Sequence, residues 1–330
     1  MIKFFFRIFG IGVIVAAALL AYAVLLPAGP SEQKLVQLKP GSSARHIAAE
    51  LKKAGIIHSQ YAFLLWHYTH GHKALKAGEY AFDHRARLGD VYNRLVRGDI
   101  YVHFVVIPEG FNVFDIARTL EEAGLGRHED FLREVRTDTS LIRDLDPQAT
   151  SLEGYLFPDT YRFTRTQSMH DIAAVMVHRF RQAANEIGLH QDFHSIVTMA
   201  SMVEKETAVE KERPEVASVF YNRLQRHMAL STDPTVIYAA LLDGRYRGAI
   251  YRSDLQYDSA YNTYRHTGLP PGPISNPGKA SLLAAMHPST TDYLYFVSDN
   301  QGHHRFSATM QEHERNVAAY RRAVAQSLSR

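Results

Sequence analysis

The chain of 330 residues is long enough for about two domains, and its contents of 46% hydrophobic and 22% charged residues are ordinary for a globular protein. Its formal charge is +3, and Lys and Arg are interleaved with Asp and Glu, so we predict no nucleic-acid partner. The absence of cysteine excludes disulfide bonds, thiolate zinc sites and a cysteine nucleophile.

The N-terminal region gives the strongest compositional signal. Residues 8–26 carry no charge and, as a helix, approach the roughly 30 Å of a hydrocarbon core. Lys3 and Arg7 precede this stretch, so the positive-inside rule predicts a single-pass inner-membrane protein with residues 1–7 in the cytoplasm and the rest in the periplasm. A cleaved signal peptide is the alternative, since residues 21–23 fit a small-x-small cleavage site. In both cases the remaining chain works outside the cytoplasm.

A weak internal repeat follows a linker at residues 27–34. Each copy has an extended apolar stretch (residues 35–38 and 103–107), a Gly turn and a short helix closed by Gly, and the copies are 69 residues apart. This order is typical of LysM-like modules that bind cell-wall sugars. We therefore predict a small LysM-like α+β domain at residues 35–148, with a generic α+β domain without a ligand as the alternative.

A mixed α+β catalytic domain is predicted for residues 149–330. A helix at residues 131–145 is predicted to precede this domain and connect it to the first one. Within the domain we predict a helix at residues 168–187, an almost wholly apolar helix from Ser195, a helix that begins at Pro214, a strand at Tyr293–Val297 and a closing helix at residues 309–327. The fold class is therefore α+β, with a transmembrane helix before the two domains.

The apolar helix that begins near Ser195 delivers a carboxylate at its end, in the sequence Met-Val-Glu-Lys-Glu-Thr. Burial against apolar walls favours the protonated form of such a group, as a general acid for a glycosidic oxygen requires. Glu204 and Glu206 are two residues apart, so on a helix they point to roughly opposite sides and do not form the facing pair of ordinary glycosidases. We expect Glu206 to form a structural ion pair. From these residues alone, a solvated helix end is the more ordinary interpretation of Glu204, and a catalytic role is the alternative.

Polar side chains recur on loops further along the chain, at residues 231–235, 261–264 and 268–274. Tyr rings stack on sugars and Asn amides bind hydroxyl or acetamido groups, but each segment also fits an ordinary turn with an Asx cap. The histidine pairs His70/His72 and His303/His304 are too close in sequence to specify a tetrahedral site, so we predict no metal and no cofactor.

Several long segments resemble the endolytic lytic transglycosylases of the MltG, or YceG-like, family. They are LEGYLFPDTY (Leu152–Tyr161), ASMVEKET (Ala200–Thr207), VASVFYNRL (Val216–Leu224), TDPTVIY (Thr232–Tyr238), SAYNTYRHTGLPPGPISNPG (Ser259–Gly278) and AAMHPSTTDYLYFV (Ala284–Val297). They occur in order over most of residues 35–320, with Met202 where Ile is more familiar, so the match is highly specific.

The resemblance implies cleavage of the MurNAc–GlcNAc bond in nascent peptidoglycan strands, with formation of 1,6-anhydro-MurNAc ends and a limit on strand length. Glu204 corresponds to the first Glu of the family's Glu-Lys-Glu motif and is the predicted catalytic residue. The predicted sugar-positioning residues are Glu153, Thr232, Asp233, Asn262 and Tyr264. Peptidoglycan synthases such as penicillin-binding proteins are the implied protein partners. A hydrolytic muramidase and a non-catalytic peptidoglycan-binding scaffold are the alternatives.

Overall fold

The computed structural model describes residues 2–328. The helices are α1 (Ile2–Leu25), α2 (Ala44–Lys53), α3 (Gln60–Thr69), α4 (Leu88–Arg97), α5 (Val113–Glu122), α6 (His128–Thr137), α7 (Met169–Glu186), α8 (Phe193–Glu206), α9 (Arg213–Gln225), α10 (Asp233–Leu242), α11 (Lys279–Met286) and α12 (Met310–Leu328). The strands are β1 (Lys34–Leu38), β2 (Gly78–Phe82), β3 (His103–Ile107), β4 (Asp159–Phe163), β5 (Tyr295–Ser298) and β6 (His304–Ser307). Helices and short strands are thus mixed along the chain, which confirms the α+β class in its coarse form.

The first helix is long and apolar enough to cross a membrane over Phe4–Leu25, and most of its surface is exposed. It begins earlier than the predicted span at residue 8. Phe4, Phe5 and Phe6 continue the apolar sequence, and nothing there breaks a helix.

Strand–helix–helix–strand order occurs twice, as β1-α2-α3-β2 and β3-α5-α6-β4. Within each copy the two strands pair with each other, and β1 runs antiparallel to β2 with Val36 opposite Tyr80. The turn glycines Gly41 and Gly110 have φ values of 77° and 76°, a left-handed conformation that glycine adopts without steric cost. The structure therefore confirms the 69-residue repeat as a local conformation and extends it to a second helix and a second strand.

Two compact units divide the chain. One comprises residues up to Phe104 together with Arg162–Gln167, and the other comprises Val105–Tyr161 and the residues from Ser168 onward. This division does not coincide with the predicted boundary at residues 148/149, and β4 lies beyond that boundary. The boundary and the LysM-like character of the repeat stay predictions.

The core of the first unit forms where the β1–β2 pair packs with α2, α3 and α4. Its largest fully buried side chains are those of Phe63, Tyr80, Tyr92, Leu51 and Leu95. At about 25 cal/mol per Å² of buried apolar area, these side chains stabilise the small unit without a disulfide.

The second unit is built around α8, which packs against α9, α10 and α11. Because α8 is enclosed on several sides, eight of its residues are buried, as the apolar sequence predicts. The β5–β6 hairpin and α12 pack together at the end of the chain.

Candidate active site

The end of α8 presents two carboxylates. The helix stops at Thr207, whose backbone is extended and whose N–H donates to Val203 O at 3.3 Å. Glu204 and Glu206 lie in the last turn and contact different groups, as their spacing predicts.

Both carboxylate oxygens of Glu204 accept hydrogen bonds. Arg213 Nη2 donates to Oε1 at 2.9 Å, and the Gly278 N–H donates to Oε2 at 3.0 Å. The Glu204 and Arg213 side chains are only 5% and 7% exposed. The surroundings of Glu204 therefore differ from the wholly apolar walls expected, because the chain turns back after Thr207 and brings the start of α9 beside the end of α8. A pair this deeply buried depends on hydrogen bonds of this kind to offset the cost of desolvation.

A second carboxylate, Glu109, lies beside this pair and was not among the predicted site residues. Its Oε2 is 3.5 Å from the same Arg213 Nη2, and half of its side chain is exposed. Burial of the remainder and the negative charge of Glu204 raise the pKa of Glu109, against the opposing effect of Arg213. The carboxyl group also lies directly on Gly278, where an added Cβ would be within 2 Å of it. Glu109, Glu204, Arg213 and Gly278 therefore form one cluster, which we call the Glu204 cluster.

The turn that carries Glu109 is fixed by Asn276. The Gly110 N–H donates to Asn276 O at 2.9 Å, and the Asn276 N–H donates to Phe111 O at 2.8 Å. Lys205 Nζ donates to Gly110 O at 3.1 Å, which joins the same turn to the end of α8. These bonds place the turn of the second repeat copy against both Glu204 and the segment that contains Gly278.

Glu153 is completely buried in this network rather than exposed to a ligand. Its Oε2 accepts from the Val113 N–H at 2.9 Å, and its Oε1 accepts from Asn276 Nδ2 at 2.8 Å. Burial raises the pKa of Glu153 to about 8, although the hydrogen bonds oppose that shift. Because both oxygens are occupied and the residue is 1% exposed, direct contact with a sugar does not follow from this geometry.

Three of the other predicted residues, Thr232, Asp233 and Tyr264, gather around Glu206. The Thr232 hydroxyl donates to the Glu206 carboxylate, and the Tyr264 hydroxyl donates to Asp233 Oδ1 at 2.7 Å. With Arg223 these residues line a cavity of about 260 Å³, which we call the Glu206 cavity. Burial raises the pKa of Glu206. The ion pair expected for Glu206 is therefore wrong: the carboxyl group is held by a hydroxyl.

Asn262 shapes a loop. Its Nδ2 donates to the backbone oxygens of Asp254, Leu255 and Tyr257, and its Oδ1 accepts from the Tyr264 N–H at 3.0 Å. The bond to Tyr264 is an Asx turn, the alternative that the sequence left open. The amide of Asn262 thus positions Tyr264 and is itself fully buried.

Histidine and carboxylate groups lie close together at Glu134, Asp138 and His170, with ligand atoms within 4.8 Å of one another. His170 Nδ1 already pairs with Glu134 at 2.8 Å, so hydrogen bonding accounts for this group. His303 and His304 likewise both contact Glu212. None of these residues belongs to the Glu204 cluster.

Comparison with known proteins gives consistent matches over most of the chain. A model of the YceG-like family matches residues 36–319. The endolytic murein transglycosylase of Bacillus subtilis (strain 168) is 33% identical, over 86% of this chain and 84% of that protein. The protein of the same name from Streptococcus pneumoniae serotype 2 is 28% identical, over 90% of this chain but 60% of the pneumococcal protein. The crystal structure of a putative yceG-like protein from Listeria monocytogenes matches with a TM-score of 0.56 and 32% identity, over 87% of this chain and 99% of that one.

Proposed function

The chain belongs to the YceG-like family, and we propose that it is an endolytic murein transglycosylase with Glu204 as its acid and base. One observation supports the assignment of this role to Glu204. The carboxylate stands at the end of a buried helix and is oriented by Arg213 Nη2 and by the Gly278 N–H. Fixed donors of this kind hold a catalytic group in one orientation before the substrate arrives.

The reaction needs one group that gives and then takes a proton. Protonated Glu204 donates its proton to the glycosidic oxygen between MurNAc and GlcNAc while the bond from C1 to that oxygen breaks. The resulting carboxylate accepts the proton of the C6 hydroxyl of MurNAc, whose oxygen forms the new bond to C1. The products are a GlcNAc hydroxyl and a 1,6-anhydro ring, and no water is consumed. General acid catalysis of this kind contributes about 10²–10⁴-fold to a rate.

Glu109 and Arg213 control the charge of the site in this proposal. Burial and the negative charge of Glu204 raise the pKa of Glu109, so this carboxyl group keeps its proton to higher pH than an isolated one does. In our proposal this proton is passed to Glu204, which donates it to the glycosidic oxygen.

We assign the sugar-positioning roles according to the geometry. Thr232, Asp233 and Tyr264 offer hydroxyl and carboxylate groups to a sugar at the Glu206 cavity. Glu153 and Asn262 act as positioning residues, Glu153 through Asn276 and Asn262 through Tyr264.

The ends of the products test the reaction. Purified enzyme is expected to release strands that end in 1,6-anhydro-MurNAc, which mass spectrometry distinguishes from reducing ends by the mass of one water. A hydrolytic muramidase is the second candidate, because Glu109 supplies a second carboxylate that contacts the same Arg213 Nη2 as Glu204, and hydrolytic glycosidases use two carboxyl groups. Reducing ends as the main product would identify that reaction and exclude the transglycosylase.

Replacement of Glu109 by Gln is expected to move the basic limb of the pH dependence of kcat/KM to lower pH and to reduce the rate near neutral pH about tenfold. Wild-type activity is lost as pH rises through the raised pKa of Glu109, because the proton needed for the first step is then gone. In the Glu109→Gln variant the carboxyl group that keeps this proton to higher pH is missing. The measurement is the rate of glycan cleavage as a function of pH.

A matched control is Glu210→Gln, since Glu210 makes the smallest contribution to the raised pKa of Glu109. That variant should leave the profile within error of wild type. A basic limb that does not move in Glu109→Gln would show that Glu109 does not supply this proton.

The location of the enzyme follows from α1 in this proposal. We place α1 across the inner membrane with Lys3 and Arg7 on the cytoplasmic side and the two compact units in the periplasm. From there the enzyme reaches nascent strands near the membrane and limits their length beside peptidoglycan synthases. We also propose that the repeat binds glycan, as LysM-like modules do.

A further inference from the structure

The outer face of α3 is unusual for a helix on the surface of a soluble domain. Its ten residues include no Asp, Glu, Lys or Arg. Tyr61, Leu65 and Tyr68, spaced as one helical stripe, are 74%, 47% and 56% exposed, whereas Ala62, Phe63 and His67 face the core. Surface helices ordinarily carry charged residues on the side away from the core. The Tyr61–Leu65–Tyr68 stripe is therefore an apolar and aromatic surface that the first unit does not cover.

This stripe continues onto the apolar helix α1, which belongs to the same compact unit. A cavity of about 470 Å³ is lined by Leu20, Val24 and Leu25 of α1 together with Leu65 and Trp66 of α3. A larger one, of about 800 Å³, is lined by residues that include Leu19, Tyr61 and Lys52. The α1 residues that line the two cavities span residues 16–25, about 14 Å of helix at roughly 1.5 Å per residue.

The chain segments on either side of α3 in the sequence carry charge of one sign. Residues 51–77 include no Asp or Glu, and the basic residues in that range are Lys52, Lys53, Lys73 and Lys76. A short aromatic helix flanked by lysines is the combination that binds anionic phospholipid surfaces, with the rings at the acyl boundary and the ammonium groups at the phosphates.

We propose that α3 is an interfacial helix that inserts the Tyr61–Leu65–Tyr68 stripe into the periplasmic leaflet of the bilayer that α1 spans. In this arrangement phospholipid covers the stripe and fills the space between α1 and α3. The proposal rests on the placement of α1 across the membrane given above. It goes further, because it attaches the first unit to the membrane surface through a second element.

The single tryptophan of the chain makes a direct test available. Trp66 lies in α3, lines the cavity against α1 and stacks on His70 with ring centroids 4.0 Å apart. The full chain is reconstituted into vesicles of phosphatidylethanolamine and phosphatidylglycerol that contain lipids brominated near the headgroup end of the acyl chain. Trp66 fluorescence is expected to fall about twofold relative to unbrominated vesicles, and to fall less with lipids brominated near the bilayer centre.

Substitution of the stripe provides the second arm. Leu65→Glu together with Tyr68→Glu is expected to remove most of the quenching by brominated lipid and to increase quenching by aqueous acrylamide. The control is Tyr251→Glu, which replaces a ring of similar exposure in the second unit and should change neither signal.

Flotation of the vesicles and cleavage of glycan strands in detergent are measured on the same preparations. A protein that floats with the vesicles but whose Trp66 is not quenched overturns the interfacial role of α3 while α1 remains an anchor. Trp66 that is shielded from acrylamide and also unquenched by lipid would be covered by protein rather than by phospholipid, which likewise overturns the proposal. Failure to float overturns both the anchor and the interfacial helix, and glycan cleavage in detergent reports on the catalytic proposal independently.

Discussion

Replacement of Glu204 by Gln is expected to reduce the rate of glycan cleavage about 10³-fold or more, because the amide has no proton to donate to the glycosidic oxygen. Gln has nearly the same shape and retains an oxygen for the contact with Arg213. The loss should appear in kcat, with a smaller change in KM, since substrate contacts outside the carboxyl group remain. Product release from purified glycan strands, followed by mass spectrometry, gives the rate.

Glu206→Gln is the matched control for this experiment. Glu206 lies on the same helix turn, is also largely enclosed and accepts a hydrogen bond from Thr232, which the amide oxygen retains. Its effect should be at most about tenfold, because the residue is placed at the sugar and not at the reacting bond. If Glu204→Gln cleaved at the wild-type rate, the chain would be a wall-binding scaffold or would use another acid. If only Glu206→Gln were inactive, the acid would be Glu206.

Replacement of Asn276 by Leu is expected to destabilise the second unit by about 3–5 kcal/mol. Asn276 is fully buried, its Oδ1 accepts from the Leu156 N–H at 2.8 Å, and its Nδ2 donates to Phe111 O and to Glu153. Leucine fills the space but leaves the Leu156 N–H without a partner and removes a hydrogen bond from the buried Glu153 carboxylate, while Phe111 O keeps its bond from the residue 276 backbone N–H. Each buried group that loses its partner costs about 1–3 kcal/mol. Denaturation followed by circular dichroism measures the change, and the Leu156 amide should exchange its hydrogen faster.

A suitable comparison is Asn185→Leu, at an exposed position near the end of α7, which should change stability by less than about 0.5 kcal/mol. Equal effects at the two positions would mean that the Asn276 hydrogen bonds do not stabilise the unit. Activity should fall in Asn276→Leu as well, since Asn276 binds the turn that carries Glu109.

The local elements of the fold follow closely from the sequence, and the deviations have local causes. The strand predicted at Tyr293–Val297 begins two residues later, because the carbonyls of Tyr293 and Leu294 accept from Asn222 and Arg223. The helix predicted to reach residue 145 ends at Thr137. There the Asp138 side chain accepts from the Ser140 N–H, a local bond that competes with helix formation.

Helices without a clear period were harder to predict. No prediction covers α3, α10 or α11. In α10, apolar residues occur in the sequence Val-Ile-Tyr-Ala-Ala-Leu-Leu without an alternating polar face. Such a short apolar run fits a buried strand as well as a buried helix, and only its packing against α8 decides between them.

Motif similarity pointed to Glu204 as the candidate acid but could not supply its neighbours. Arg213 is nine residues away, Gly278 is 74 residues away and Glu109 is 95 residues away, so their proximity is a result of tertiary folding. The spacing of Glu204 and Glu206 within one helix predicts that their side chains point in different directions. It does not predict which carboxylate from another part of the chain lies beside Glu204. The sequence signal that could have pointed to Glu109 is the repeat, which marks the following Gly110 as a turn.

The repeat has a consequence for the site. Glu109 and Gly110 occupy the positions that Pro40 and Gly41 occupy in the first copy, on the same strand-to-helix turn. The same strand-to-helix turn thus carries Pro40 in one copy and, in the other, a carboxylate that contacts Arg213 beside Glu204. The two copies therefore share a local conformation but differ in their surroundings: the first lies in the unit that contains α1, and the second supplies a carboxyl group to the Glu204 cluster.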